Sequence, residues 1–281
     1  MSYDLFLKSE TAPLTAAQFE SYFSARPHYT FNEDQAFYEN EDTGVYFVFE
    51  YTPDEESTVA FNLNYFRPHF FGLEAAPEVE AFVSAFNLSI DDPQNDGMGE
   101  GPFSVDGFLR GWNAGNQFGY RAILSQDEQP ETHVYPTAQL ERTWRWNLNR
   151  NALQDQAGDM IFVPRYMFFK GSTQARSAVV WPDACPVYLP KADVVIVIRD
   201  ELSTGGEREI TVVEWSAIES VVQAFPLDET HGHFRLDYEV TPDSVAQSIR
   251  SLPVIPHDPE NGLANAHVLN AELVQENTST G

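Results

Sequence analysis

The 281-residue chain carries 43 acidic and 16 basic side chains, a formal net charge of −27. Phosphate backbones and anionic membrane surfaces attract Lys and Arg, so this balance argues against direct nucleic-acid binding and against a membrane surface. With 42% apolar and 14% aromatic residues there is ample material for a packed core, which excludes a disordered chain despite the charge.

The length suits one large domain or two smaller ones. Net charge is −16 over residues 1–100, zero over 101–200 and −11 over 201–281, and most of the 13 arginines fall in the neutral middle. No basic and apolar leader opens the chain, and runs such as Val194-Val195-Ile196-Val197-Ile198 are too short to span a bilayer. Cys185 is the only cysteine, so an intrachain disulfide is impossible and a cytoplasmic location is expected.

Residues 3–7 alternate and predict an opening strand. Thr15 can cap a helix to about residue 25, with Phe19, Tyr22 and Phe23 on one face and Pro27 ending it. Residues 35–38 and 45–51 flank Asn40-Glu41-Asp42-Thr43-Gly44, a predicted hairpin turn. Val45, Phe47 and Phe49 then point one way, and Tyr46, Val48 and Glu50 the other. Pro53-Asp54-Glu55-Glu56 predicts a second turn before a strand over 59–66. Val79, Phe82, Val83 and Phe86 fall at helical spacing within 74–86, and 88–90 predicts a short closing strand. The order implies an α+β domain over residues 1–95, an antiparallel sheet with helices on one face.

The loop over 91–103 marks a boundary, beyond which a helical connector and a second β-rich α+β region are expected over 104–252, with 253–281 as a C-terminal extension. Gly107, Gly111, Gly115 and Gly119 recur every four residues, compatible with either a helix bearing one glycine stripe or an irregular connector. Residues 137–158 predict a helix apolar on two sides, Leu140, Trp144 and Leu148 against Trp146 and Leu153. Short strands are predicted over 161–163, 166–169, 178–181, 187–189, 194–198 and 211–213, divided by prolines. A helix over 215–225, a strand over 234–240 and a helix over 243–252 follow, and the proline-bearing tail from 253 is expected to be irregular.

Few motifs carry chemistry. Asp228-Glu229-Thr230-His231-Gly232-His233, with Asp237 close behind, is the most metal-like cluster: His-x-His on a strand would place two imidazoles on one face, and a nearby carboxylate could complete a site; a polar turn entering a strand is the plainer alternative. Cys185 sits in Pro-Asp-Ala-Cys-Pro, a turn without the surroundings of a catalytic thiol. Thr143-Trp144-Arg145-Trp146-Asn147 could stack bases or sugars, but tryptophans on a two-sided helix are expected in the core. No nucleophile elbow, zinc-protease pair or phosphate loop occurs, and no cofactor is expected.

The acidic clusters remain: Glu39, Glu41 and Asp42 in one hairpin, Asp54, Glu55 and Glu56 in the next, and Asp91, Asp92 and Asp96 in the following loop. With Tyr46 beside them, they suit recognition of a basic protein surface, in which charge speeds encounter and aromatics anchor; the alternative is a solubilising surface. In composition and in its lack of catalytic motifs, the whole chain resembles the immunity proteins of bacterial toxin systems. The resemblance is to a class profile, with no family motif behind it. It implies a binding protein that occludes a toxin's active site or basic substrate surface, with the loops at 39–42 and 54–56 as contacts. An enzyme acting on an anionic small molecule, using Arg110, Arg121, Arg142 or Arg145 in a cleft between the halves, is an alternative, as is a structural or assembly protein.

Overall fold

The alternation in the first hundred residues becomes a seven-stranded antiparallel sheet, seen here in a computed structural model that describes residues 1–9, 13–53, 58–128, 130–203, 205–255 and 259–278. The chain forms two packed units, Met1–Leu140 with Ala266–Gly281, and Glu141–Asn265. The glycine-bearing segment after residue 104 and the end of the tail therefore belong with the N-terminal sheet. Among the described residues no helix is long and apolar enough to cross a membrane.

In the first unit, β1 (Ser2–Ser9) sends Tyr3, Leu5 and Leu7 into the core. Thr15 caps α1 (Ala16–Ser24) through a capping box with Gln18, and Phe19 and Phe23 face inward. Then come β2 (Tyr29–Asn32), β3 (Gln35–Asn40), β4 (Val45–Tyr51) and β5 (Val59–Asn64). Helix α2 (Phe70–Phe86) starts four residues earlier than its spacing predicts, because Phe70, Phe71 and the backbone at Gly72 are buried. Strand β6 (Leu88–Asp92) and the three-residue β7 (Gly99–Gly101) complete the sheet in the order β2-β3-β4-β5-β1-β6-β7. Rings of Phe23, Phe49, Phe61 and Phe82 meet at 4.9–5.2 Å between the helices and the inward face.

The glycine stripe is a helix, α3 (Val105–Leu124). A Cβ at Gly111 would lie 2.9 Å from Gly97 Cα and 2.8 Å from Tyr3 Oη, and one at Gly115 would lie 2.0 Å from Tyr65 Oη. Helix and sheet thus approach more closely than side chains allow, which outweighs the cost of about 1 kcal/mol per helical glycine. Strand β8 (His133–Tyr135) follows, and the chain enters the second unit within α4 (Thr137–Ala157).

On α4, Trp144 and Trp146 are buried as expected of core residues, while Leu148 is 41% exposed. Asn147 takes the inward place, accepting from the Tyr166 amide at 2.7 Å and donating to its carbonyl at 3.1 Å. Residues 161–163 form only an isolated bridge from Phe162 to Val187. Strands β9 (Met167–Phe169), β10 (Arg176–Pro182), β11 (Val187–Pro190), β12 (Val194–Arg199) and β13 (Glu209–Glu214) follow. Strands β10 and β12 pair in parallel at the centre of a five-stranded sheet, and Val194 to Val197 are all buried, as a doubly covered strand requires. The helix predicted over 215–225 breaks into a 3₁₀ turn and the four-residue α5 (Glu219–Val222).

A three-stranded sheet of β14 (Leu227–Asp228), β15 (His233–Leu236) and β11, and the helix α6 (Asp243–Ser251), complete the unit with β16 (Gly262–Leu263), which extends the larger sheet. The Arg199 side chain, 1% exposed, donates from Nη1 to the carbonyls of Ile249, Arg250 and Leu252 at 2.9–3.1 Å and pairs with Glu209 at 3.0 Å. A cation thereby closes the negative end of α6.

The end of the tail is ordered, contrary to expectation. Strand β17 (Val268–Asn270) pairs in parallel with β8, and α7 (Ala271–Thr278) follows. Leu269 packs with Tyr120 and Leu124 of α3. Asn270, fully buried, accepts from the His69 amide at 2.9 Å and donates to Thr137 Oγ1 at 2.9 Å.

Candidate functional site

Two places in the molecule gather the residues singled out from the sequence. The first is the β3–β4 hairpin and the outward face of the large sheet. The turn is held from below by Glu74 of α2, a buried carboxylate that accepts from Tyr38 Oη, Asn40 Nδ2 and Thr43 Oγ1 at 2.8–2.9 Å. Asn40 Oδ1 in turn accepts from the Asp42 amide at 3.1 Å. With Asn40 and Thr43 pinned inward, Glu41 is left exposed and Asp42 half-exposed.

Glu39 is exposed on β3, and among the described residues no cation pairs with its carboxylate. Beside it a cavity of about 390 Å³ is lined by Phe37, Glu39, Tyr46, Val48, Asn62 and Asn64. Phe37, 40% exposed, is the apolar residue most open to solvent there. Tyr46 is not a free anchor. Its hydroxyl accepts from Arg67 Nε at 2.8 Å and Nη2 at 2.6 Å, and its ring meets Phe71 edge-on.

The β3–β4 and β4–β5 connections lie at opposite ends of the sheet. The 41–44 turn lies where Asn40 pairs with Val45. β4 ends and β5 begins at the other end, where Gln35 pairs with Glu50 and the Tyr51 amide donates to Asp34 at 2.7 Å. Alternate turns of a meander fall at opposite ends, so only the sheet face can connect the two. Asp54, Glu55 and Glu56 lie outside the described residues. In the third cluster, Asp91 pairs with Lys8 at 3.1 Å. Asp92, 4% exposed, turns inward to accept from Tyr3 Oη at 2.6 Å and from the Met98 amide at 2.8 Å, and so shapes the following loop. Its carboxylate is removed from the expected acidic surface.

The second place is the β14–β15 hairpin. Asp228 pairs across the strands with His233, and Gly232 at φ +72° bends the connection between them. Asp228 Oδ1 accepts from the amides of Thr230 and His231 at 2.9 and 3.1 Å, and its Oδ2 lies 3.1 Å from His231 Nδ1. That side-chain contact with His231 holds the Asp228 carboxyl below its usual range. His233, 1% exposed, sits against the rings of Trp146 and Tyr188 at 5.4 and 4.7 Å. Burial pushes its imidazole down to about 4.

Asp237 is not part of this cluster. It pairs with Arg235 at 3.2 Å, and at about 3.3 Å of rise per extended residue it falls about 13 Å along the chain from His233. The carboxylate that joins the histidines is Asp228, which opens the same cluster in the sequence and pairs across the hairpin with His233.

The remaining candidates lie elsewhere. Trp146 Nε1 donates to Pro164 at 2.7 Å, so the Trp-Arg-Trp segment offers no stacking platform. Arg145 pairs with Glu141 one turn away, and Arg110 donates to the carbonyls of Asp96 and Gly97. Arg121 is exposed, 3.5 Å from Asn277 Oδ1, and Arg142 is exposed on α4. Burial pushes the Cys185 thiol up to about 11, the opposite of what a nucleophile needs. No protein-family model, curated protein or solved structure matches the chain.

Proposed function

We propose that this chain is an acidic binding protein that engages a basic protein surface through the outward face of its large sheet, in the manner of an immunity protein occluding a toxin. The observation that carries the reading is the 390 Å³ cavity in which apolar Phe37 and Val48 adjoin Glu39, a carboxylate without a cation partner among the described residues. An apolar anchor flanked by unneutralised acid is the pairing that gives a protein interface both affinity and orientation. The chain's charge of −27 supports the choice of a basic partner, because a field of this size accelerates encounter with cations and repels acidic competitors. Asp42 and Glu41 extend the same charge past the end of β3.

The test begins with a partner captured from the native host or encoded beside this gene, followed by titration of that partner against variants. Glu39→Lys with Glu41→Lys, and separately Phe37→Ala, are each expected to weaken binding by tenfold or more, the charge effect fading as salt rises. Affinity unchanged by either variant, together with insensitivity to salt, would reject the sheet face as the binding surface.

A further inference from the structure

We propose that Asp228, His231 and His233 form a binding site for a divalent transition metal of the zinc class, independent of the sheet face. One ligand atom from each of the three lies within 4.8 Å of the others. A tetrahedral ion with bonds of about 2.0–2.2 Å holds its ligands about 3.3 Å apart. Asp228 Oδ2 and His231 Nδ1 already stand at 3.1 Å, close to that spacing. Only His233 has to be joined to them, and the short turn carrying the exposed His231 is the side free to close.

A second observation points to a ligand. Both ring nitrogens of His233 are buried without a hydrogen-bond partner. Burying an unpartnered polar group is unfavourable, and a metal bond would give one of the two nitrogens its partner. Asp228 is fixed by two backbone amides on Oδ1, so its other oxygen is oriented toward His231. The nearby cation, Arg235, is drawn toward Asp237. Two imidazoles and one carboxylate suit zinc, nickel or copper; calcium and magnesium require mostly oxygen. Three protein ligands leave a fourth position for water or for a side chain from a partner.

The experiment uses full-length, untagged, chelator-treated protein titrated with Zn²⁺ by calorimetry and with Co²⁺ by visible absorption. One ion per chain and the intense bands of four-coordinate Co²⁺ are expected. His231→Ala, at an exposed position, and Asp228→Asn, which retains the turn's acceptor, are each expected to lower affinity at least about 100-fold, since even residues behind the ligands are worth 10–100-fold. Asp237→Asn should bind as the parent does. Absence of stoichiometric binding, or equal affinity in the parent and both ligand variants, would overturn the site.

Discussion

A single buried carboxylate governs the acidic hairpin. Glu74 gathers three donors from β3 and the turn, so the outward placement of Glu41 and Asp42 depends on a residue more than thirty positions away. Glu74→Gln keeps the size but removes the charge and turns one acceptor into a donor. It is expected to cost about 1–3 kcal/mol in urea unfolding, with increased amide exchange across the 40–45 turn. Cys185 gives a second measurement at this scale. Burial raises its thiol to about 11, so little of it is thiolate at pH 8, and alkylation of native protein should lag clearly behind that of the unfolded chain. Labelling at the unfolded rate would contradict the burial seen there.

Among elements, α3 shows how a residue pattern with two meanings is resolved. Four glycines in a helix weaken it in isolation, and the spacing alone does not say whether a helix forms. The decision comes from what lies opposite: Tyr3 with its hydroxyl on Asp92, and the backbone of Gly97. Gly111→Ala gains about 1 kcal/mol of helix propensity and meets fixed atoms, with an overpacking cost of about 1–3 kcal/mol. The net expectation is destabilisation by denaturant titration. Gly115→Ala meets the tip of the half-buried Tyr65, which can swing, and should be milder than Gly111→Ala. Elements whose signals are local were legible from the residues: the Thr15 cap of α1, the alternation of β4, and the start of α4 at Thr137. Strands β2 and β7 were not, because each is short and exists through pairing with a longer neighbour. The predicted helix over 215–225 forms as a 3₁₀ turn followed by α5, while Trp215, Ile218 and Val222 keep the helical spacing that buries them in the core of the second unit.

At the scale of the whole molecule, the first unit is closed by residues from the far end of the chain. Val268 and Leu269 are buried in it, and Asn270 ties the entrance of α2 to the first turn of α4. Deleting residues 266–281 is expected to remove about 3–6 kcal/mol from the burial of those two apolar side chains alone, at about 1.5–3 each, and to leave the His69 amide unpaired. Thermal unfolding should show an earlier transition for the first unit. An unchanged transition would mean that the β8–β17 pair contributes little.

The amino-acid sequence by itself determined the acidic charge and its concentration toward the ends, the two mixed α+β regions, the alternation that sorts β4 into inward phenylalanines and an outward Tyr46, and the His-x-His pair. These are properties of neighbours along the chain, set by periods of 2 and 3.6 residues and by short-range capping. Tertiary structure alone decided which carboxylates act where. Asp92 is drawn inside by Tyr3, Asp91 is neutralised by Lys8, and Glu39 is left on a cavity rim. It likewise selected Asp228 rather than Asp237 from the carboxylates around the His-x-His pair, because register across the hairpin sets Asp228 opposite His233. Charge can be counted from composition, but whether an acid is buried, paired or exposed depends on the residue packed against it, and that neighbour is often far away in the chain.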